Sequence, residues 1–423
     1  MKTVKWLQLA NKMPLILAPM TGTKTVTALV IIKTGSKYES RRTSGLSHFV
    51  EHMLFKGTSL RPTALNIASD LDVLGGDYNA FTSKEYTGYW VKVDQKKIAT
   101  ALEILADMLL NSKFEAAEID REKGVILEEV NMYEDNPQSH IEDVFESCLY
   151  GDTPAGWDTI GTRENIRGFK RSDFINYLKT QYGVKGTYIV LSGDLKEVSV
   201  VKQLNNLFAK YPKNKFKEKV KVVEKQSRPA LKIKHKKTDQ AHLSLGVRTY
   251  PVGHPDEFIL KLLAIILGGS MSSRLFSELR ERRGLAYYIR TQTEFYSDSG
   301  YLTTRAGVPV DKIEEAAAVI VDGYRQLTKT LIDQKELQRA KDLISGKLVI
   351  QMEASDNVAN WYASQAVLRK KLISPEALLK IVNKITVKDI QRVAQAIFQD
   401  KHLNMAVIGP APSEAKLKKI LHL

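Results

Sequence analysis

The stretch 43–58, "TSGLSHFVEHMLFKGT", places two histidines four residues apart with a glutamate just inside the second. His48, Glu51 and His52 interrupt what is otherwise the residue choice of a buried helix. On an α-helix, residues i and i+4 lie about one turn apart on one face, so the two imidazoles aim at a common point. Glu51, at i+3 from His48, projects to nearly the same side. Two neutral nitrogen donors with a carboxylate beside them suit a zinc ion and a water. The pattern H-x-x-E-H inverts the commoner H-E-x-x-H, and the geometry works in either direction. In a chain of this composition it arises by chance at about the one-in-a-hundred level, which justifies a search for a third ligand.

A catalytic zinc takes three protein ligands and keeps one position for water. Candidates stand in "EAAEIDREKGVILEEVNMYED" (115–135), whose apolar stripe is read as Ile119, Val125, Ile126 and Val130 with Tyr133. Glu122 and Glu129 fall on or beside that stripe, seven residues and so two turns apart, while Glu118, Asp120 and Glu128 lie off it. Inward carboxylates are costly unless paired or bound to a cation. At the stripe's edge, both would instead reach solvent.

The chain has 423 residues, enough for about two or three domains, and its 43% apolar and 26% charged shares suit a soluble globular protein. The longest apolar run, "FILKLLAIILGG", is broken by Lys261 and is shorter than the roughly 20 residues of a membrane span. The opening "MKTVKWLQLANKMPLILAPM" lacks the form of a signal peptide and reads as a first hairpin with "PLILAP" as a strand. The single cysteine, Cys148, rules out an intrachain disulfide and suits a reducing compartment, so a cytoplasmic location is expected. Net charge is +15, and between Lys210 and Lys237 eleven lysines and Arg228 face only Glu218 and Glu224, a local net of +10. With few aromatics interleaved, that stretch is read as a solvated linker and not as a nucleic-acid site.

The two halves echo each other. "TVTALVIIKTGS" (25–36) and "QAHLSLGVRTYP" (240–251) are strands, as are "GTYIVLSGDL" (186–195) and "LNMAVIGPA" (403–411), with an offset of about 215 residues in each case. Helical spacing marks "IATALEILADMLLNS" (98–112), "KIEEAAAVIVDGYRQLTKTL" (312–331) and "PEALLKIVNKI" (375–385). The expected fold class is α+β: two similar domains, each a mostly antiparallel sheet with helices covering one face. The expected boundaries are 1–212, a linker at 213–230, and 231–423. In the second half, the helix matching His48–His52 is "ILKLLAIIL", with no ligand-type side chain. The fold does not require the histidines, which argues for function over packing.

"GLSHFVEHMLFKGT", followed by "DREKGVILEEV", closely resembles the pitrilysin family of inverzincin metallopeptidases, to which insulin-degrading enzyme and the mitochondrial processing peptidase belong. "GSKYES", "GGDYNAFTSKEYTGYW" (75–90) and "SRLFSELRERRGLAY" (273–287) extend the likeness over essentially the whole chain. The resemblance implies one Zn2+ per chain held by His48, His52 and Glu129, with Glu51 as general base and Glu122 orienting a ligand. It implies that Asn79, Ala80 and Phe81 lie on an edge strand that pairs with substrate backbone. It also implies that Arg280 and Tyr287 contact the substrate carbonyl. The activity implied is zinc-dependent endopeptidase action on peptides or unfolded segments. Because this chain has the length of one half-shell of the family's large members, a homodimer enclosing a chamber is expected. The alternative is a silent structural or substrate-presenting subunit, a class that typically loses the motif kept here. The remaining histidines are isolated and read as surface or structural, and Cys148 as a packing residue.

Overall fold

The run "TVTALVII" is apolar at positions that face both ways along a strand, so it needs cover on two faces and a neighbour on each side. The computed structural model, which describes residues 3–214, 216–410 and 413–423, places it accordingly. Lys215 of the lysine-rich stretch and Ala411 at the end of the last expected strand fall outside the described residues. The strands of the first half are β1 (Lys5–Gln8), β2 (Pro14–Pro19), β3 (Thr25–Ile32), β4 (Asp77–Thr82), β5 (Thr87–Asp94) and β6 (Thr187–Gly193). They form one sheet in the order β1-β2-β6-β3-β5-β4. Every pairing is antiparallel except β2 with β6.

The second half supplies β7 (Ala230–His235), β8 (Gln240–Thr249), β9 (Tyr288–Phe295), β10 (Gly300–Pro309) and β11 (Leu403–Gly409). Their order is β7-β11-β8-β10-β9, again with a single parallel pair, β7 with β11. Strand for strand this repeats the order β2-β6-β3-β5-β4, so the 215-residue echo is a repeated topology. The expected helices form at Leu46–Met53, Ile98–Asn111, Glu257–Gly268, Ile313–Lys329 and Pro375–Lys384. The chain folds as two similar α+β domains with mostly antiparallel sheets.

One face of the first sheet presents Leu15, Leu17, Ala28, Val30 and Ile32 to a core shared with helices of the same half. The opposite face presents Ile16, Ala18, Leu29, Ile31 and Val190 to Val358, Ala359, Tyr362 and Ala363 of the helix Ser355–Leu368. Similarly, Ile141, Val144, Phe145 and Leu149 of the helix Pro137–Tyr150 pack with Tyr301, Ala406 and Ile408 of the second sheet. Each sheet therefore carries, besides its own helical layer, one helix from the other half of the chain. The compact units are Met1–Asn131, Asp158–Val220 and Val349–Leu372 for the first, and Met132–Trp157, Lys221–Leu348 and Ile373–Leu423 for the second. Where sequence reading expects contiguous halves, the chain exchanges segments, because periodicity marks an apolar helix face without saying which sheet it covers. The lysine-rich stretch is also less solvated than its composition suggests. Lys219 is nearly buried and lies 3.3 Å from Glu85, which also pairs with the buried Lys37 at 3.0 Å.

This arrangement predicts that residues 1–212 expressed alone aggregate, because the face bearing Ile16, Leu29, Ile31 and Val190 lacks its covering helix. Co-expression with 213–423 should restore a soluble, cooperatively unfolding complex on gel filtration and thermal denaturation. A soluble, cooperatively folded 1–212 would refute the exchange.

Candidate metal centre

The helix Leu46–Met53 is only eight residues long, too short to persist on its own propensity, so its surroundings must hold it. Leu46, Phe49, Val50 and Met53 are buried, and Phe49 meets Phe174 edge to face at 4.9 Å. The N-terminus is held by Glu39, from "GSKYES". Its carboxylate accepts from the Gly45 N–H at 2.8 Å, the Ser47 N–H at 2.6 Å and the Ser47 hydroxyl at 2.5 Å. Burial pushes Glu39 up to about 8, against the opposing pull of those same donors and of Lys84. Gly45 enters the helix at φ +97°, and a Cβ there would come within 2.5 Å of the Ile160 carbonyl oxygen, so only glycine fits.

From this helix, His48 and His52 face the helix Ala116–Asp135, and their rings lie 4.6 Å apart. His48 Nε2 is 3.6 Å from Glu129 Oε1, and His52 Nε2 is 3.4 Å from Glu129 Oε2. One ligand atom from each of the three residues lies within 4.8 Å of the others. Zinc bonds of ~2.1 Å at tetrahedral angles set ligand atoms ~3.4 Å apart, close to the spacing of each imidazole from the Glu129 carboxylate, so the three side chains suit that ion. Glu122, seven residues earlier, is almost fully buried and accepts from His52 Nδ1 at 2.9 Å, which turns His52 Nε2 toward Glu129. His48 lacks such a lock, since its Nδ1 is buried with no partner among the described residues.

The electrostatics follow from this packing. Burial alone would push His52 down, but hydrogen bonds to Glu122 and Glu129 outweigh it and raise the imidazole to about 9 in the metal-free chain. Hydrogen bonds from His48 and His52 hold Glu129 down at about 2. Burial works to raise Glu122, yet His52 and Lys56, the latter only 2.6 Å away, keep it below the usual carboxylate range. Glu51 is half-buried on the same helix and accepts from the Thr82 hydroxyl at 2.6 Å.

Thr82 ends β4, the edge strand of the first sheet. Asn79, Ala80 and Phe81 occupy its middle, paired on one side only, with Trp90, Tyr89 and Gly88 of β5. The Asn79 side chain accepts from the Ala80 N–H at 2.8 Å, and the Phe81 ring lies across Gly88, where a Cβ would come within 2.3 Å of it. Arg280 and Tyr287 belong to the second unit. Arg280 sits on Phe276–Arg282, a π-helix, with its guanidinium 5.2 Å above the Phe276 ring. π-Turns of this kind gather at functional sites. The Tyr287 side chain is 73% exposed.

His48, Glu51, His52, Glu122 and Glu129 are thus brought together in the first unit. The buried stripe of the second helix is Ile119, Glu122, Ile126 and Val130, while Val125 and Tyr133, expected inward, are exposed. Lys56, Thr82 and Glu39 escaped sequence reading as parts of the centre. Only Lys56 left a signal, four residues past His52 and just beyond the end of the helix. Among the bland expectations, His140 is buried and bonded to Lys234 at 2.7 Å. Cys148 is pushed up to about 11 by burial, as suits a packing thiol.

At pH 7.5 the metal-free His52 is protonated, so zinc must displace about one proton per chain. Calorimetry in two buffers of different ionisation enthalpy should register that release. Glu122→Gln should diminish it and weaken zinc binding by about 10–100-fold. Because the folded value lies above the ordinary 6.5, the His52 contribution to metal-free stability is full below pH 6.5 and fades as the pH climbs through 9. Urea titration of metal-free protein across that window checks the sign.

Comparison with known proteins places the whole chain in a family. Residues 15–163 match the family model described as insulinase (peptidase family M16), and residues 168–344 match the peptidase M16 inactive domain. An uncharacterized zinc protease of Bacillus subtilis, YmxG, is 33% identical over 402 residues, covering 95% of this chain and 97% of that one. An uncharacterized zinc protease of Rickettsia bellii is 33% identical over 404 residues, with the same coverage. Among solved structures, a protease from Helicobacter pylori superposes with a TM-score of 0.91 at 24% identity, covering 96% of this chain and 99% of that one. A chain of complex III2 from Candida albicans superposes with a TM-score of 0.86 at 16% identity, covering all of both, and shares the fold alone. With both halves matched by the family's models and near full-length relatives at one-third identity, the chain belongs to peptidase family M16, the insulinase family.

Proposed function

We propose that the chain is a zinc-dependent endopeptidase that cleaves peptides or unfolded segments within a homodimeric chamber. The observation that carries this reading is the convergence of His48, His52 and Glu129, with ligand atoms within 4.8 Å of one another and each imidazole 3.4–3.6 Å from the carboxylate, with Glu51 on the same helix as the histidines. When bound there, zinc supplies Lewis acidity that lowers the pKa of a water toward neutrality and polarises a carbonyl. His48, His52 and Glu129 hold the ion, and Glu122 keeps His52 in the tautomer that offers Nε2. Glu51 takes the proton from the attacking water and delivers it to the departing amine. Thr82 directs that carboxylate by binding one of its oxygens.

Substrate backbone adds to the open side of β4 along Asn79, Ala80 and Phe81, a mode that tolerates varied side chains. Arg280 and Tyr287 stabilise the oxyanion, supplied in trans by the second copy. A silent, substrate-presenting subunit would not need the intact ligand set and its buried Glu122.

Glu51→Gln should lower peptide cleavage by about 10²–10⁴-fold while retaining one zinc per chain. Mixing Glu51→Gln with Arg280→Ala chains should restore about a quarter of wild-type activity, since half of the dimers then contain one complete site. No recovery on mixing would refute trans complementation. Thr82→Val should reduce kcat about tenfold with KM and zinc content little changed, and Thr82→Ser should rescue it. Equal losses in Val and Ser variants would remove Thr82 from the mechanism.

A further inference from the structure

The second unit contains a cavity of about 280 Å³ lined by Gln138, Ser139, Glu142, Tyr288, Arg290 and Arg305. It lies beside β9, the edge strand of the second sheet and the positional counterpart of β4. Arg290 of β9 stands directly opposite Arg305 of β10 in the antiparallel register. Like charges in that relation destabilise a sheet, so something else must favour keeping both. Among the described residues, the carboxylate that pairs with them is that of Glu142, which meets Arg305. Glu142 Oε2 accepts from Arg305 at 2.7 Å, and Gln292 Oε1 takes a second Arg305 N–H at 3.1 Å. Glu142 is itself committed to Gln292 at 2.8 Å and Tyr301 at 3.3 Å. Arg290 is exposed, and its side chain has no hydrogen bond or ion pair among the described residues.

Tyr288, two residues before Arg290 on the same strand, is fixed by its neighbours. The Tyr288 hydroxyl is 3.0 Å from His242 Nδ1, and its ring lies over Gly307, where a Cβ would come within 2.5 Å of it. With Arg305 paired to Glu142, Arg290 offers the pocket an uncommitted guanidinium, whose fork matches a carboxylate with two parallel hydrogen bonds. Since a water occupies ~30 Å³, the cavity has room for a carboxylate side chain with several waters.

We propose that this cavity is a carboxylate subsite in which Arg290, with Arg305 behind it, captures an acidic group of a bound peptide. The inference rests on the peptidase reading for the identity of the ligand. The subsite favours peptides with an Asp or Glu side chain or a free C-terminus, and disfavours those with Lys or Arg at the same place.

The test uses the zinc-loaded Glu51→Gln protein, so that affinity is read without cleavage. Fluorescence anisotropy compares labelled peptides that differ only in Glu against Gln at each position in turn, and in a C-terminal acid against an amide. The expected result is at least about tenfold tighter binding for the acidic member at one position. Adding Arg290→Gln should abolish that ratio, and Arg290→Glu should invert it in favour of a Lys-containing peptide. Preference in the side-chain series alone assigns the carboxylate to Asp or Glu, and preference in the acid–amide pair alone assigns it to the C-terminus. An equal affinity for acidic and neutral peptides, or a preference that survives Arg290→Gln, overturns the proposal. If wild type cleaves no peptide, the peptidase reading fails, while the binding ratios still decide the subsite.

Discussion

His52 sits between two carboxylates, with Glu122 at 2.9 Å from Nδ1 and Glu129 at 3.4 Å from Nε2, and the arrangement of the centre depends on that placement. An imidazole bonded at Nδ1 has one tautomer available for a metal, so Glu122 decides the direction of the lone pair. Glu122 can do this from a nearly buried position because His52 and the partly exposed Lys56 both pair with its carboxylate. The donors converge because the short helix carrying them is clamped at its start by Glu39 and by the glycine contact at Gly45. A chemical site of three side chains thus draws on at least four further residues for its geometry.

Sequence reading reached the donors but not their support, for a physical reason. His48, Glu51 and His52 were legible because helical geometry converts a spacing of three or four residues into adjacency without any tertiary information. Glu122 and Glu129 were legible as a pair two turns apart, but periodicity could not tell which of them faces the imidazoles and which braces them. That distinction depends on the packing of one helix against another. Thr82 is 31 residues from the Glu51 it holds, and no local pattern announces a hydrogen bond across such a gap, while Glu39 is near Gly45 and Ser47 in sequence but reaches them through an irregular turn that no periodicity marks. The strands and their order of recurrence were readable from apolar runs. The exchange of helices was not, because "PLILAP" and "TVTALVII" record that both faces are covered without recording what covers them.

The repeated topology shows how one scaffold supports different chemistry. β4 and β9 end their sheets in equivalent positions. The first lies beside Glu51 through Thr82, and the second carries Tyr288 and Arg290 into a basic cavity. The helix matching the histidine pair is filled with Leu and Ile in the second unit, where residues facing the core need only volume. Because neither strand order nor sheet pairing depends on these residues, each half was free to diverge at its edge while the interior kept its form.

The reciprocal loan of Pro137–Tyr150 and Ser355–Leu368 also dictates a timetable at the ribosome. The first sheet has all its strands once Gly193 has emerged, yet one apolar face stays wet until Leu368 follows. At 5–20 residues per second that interval is on the order of ten seconds or longer, ample for a nascent chain to recruit a holdase or stick to its neighbours. Vectorial synthesis therefore cannot finish this protein one half at a time, and a helix from its second half completes its first domain.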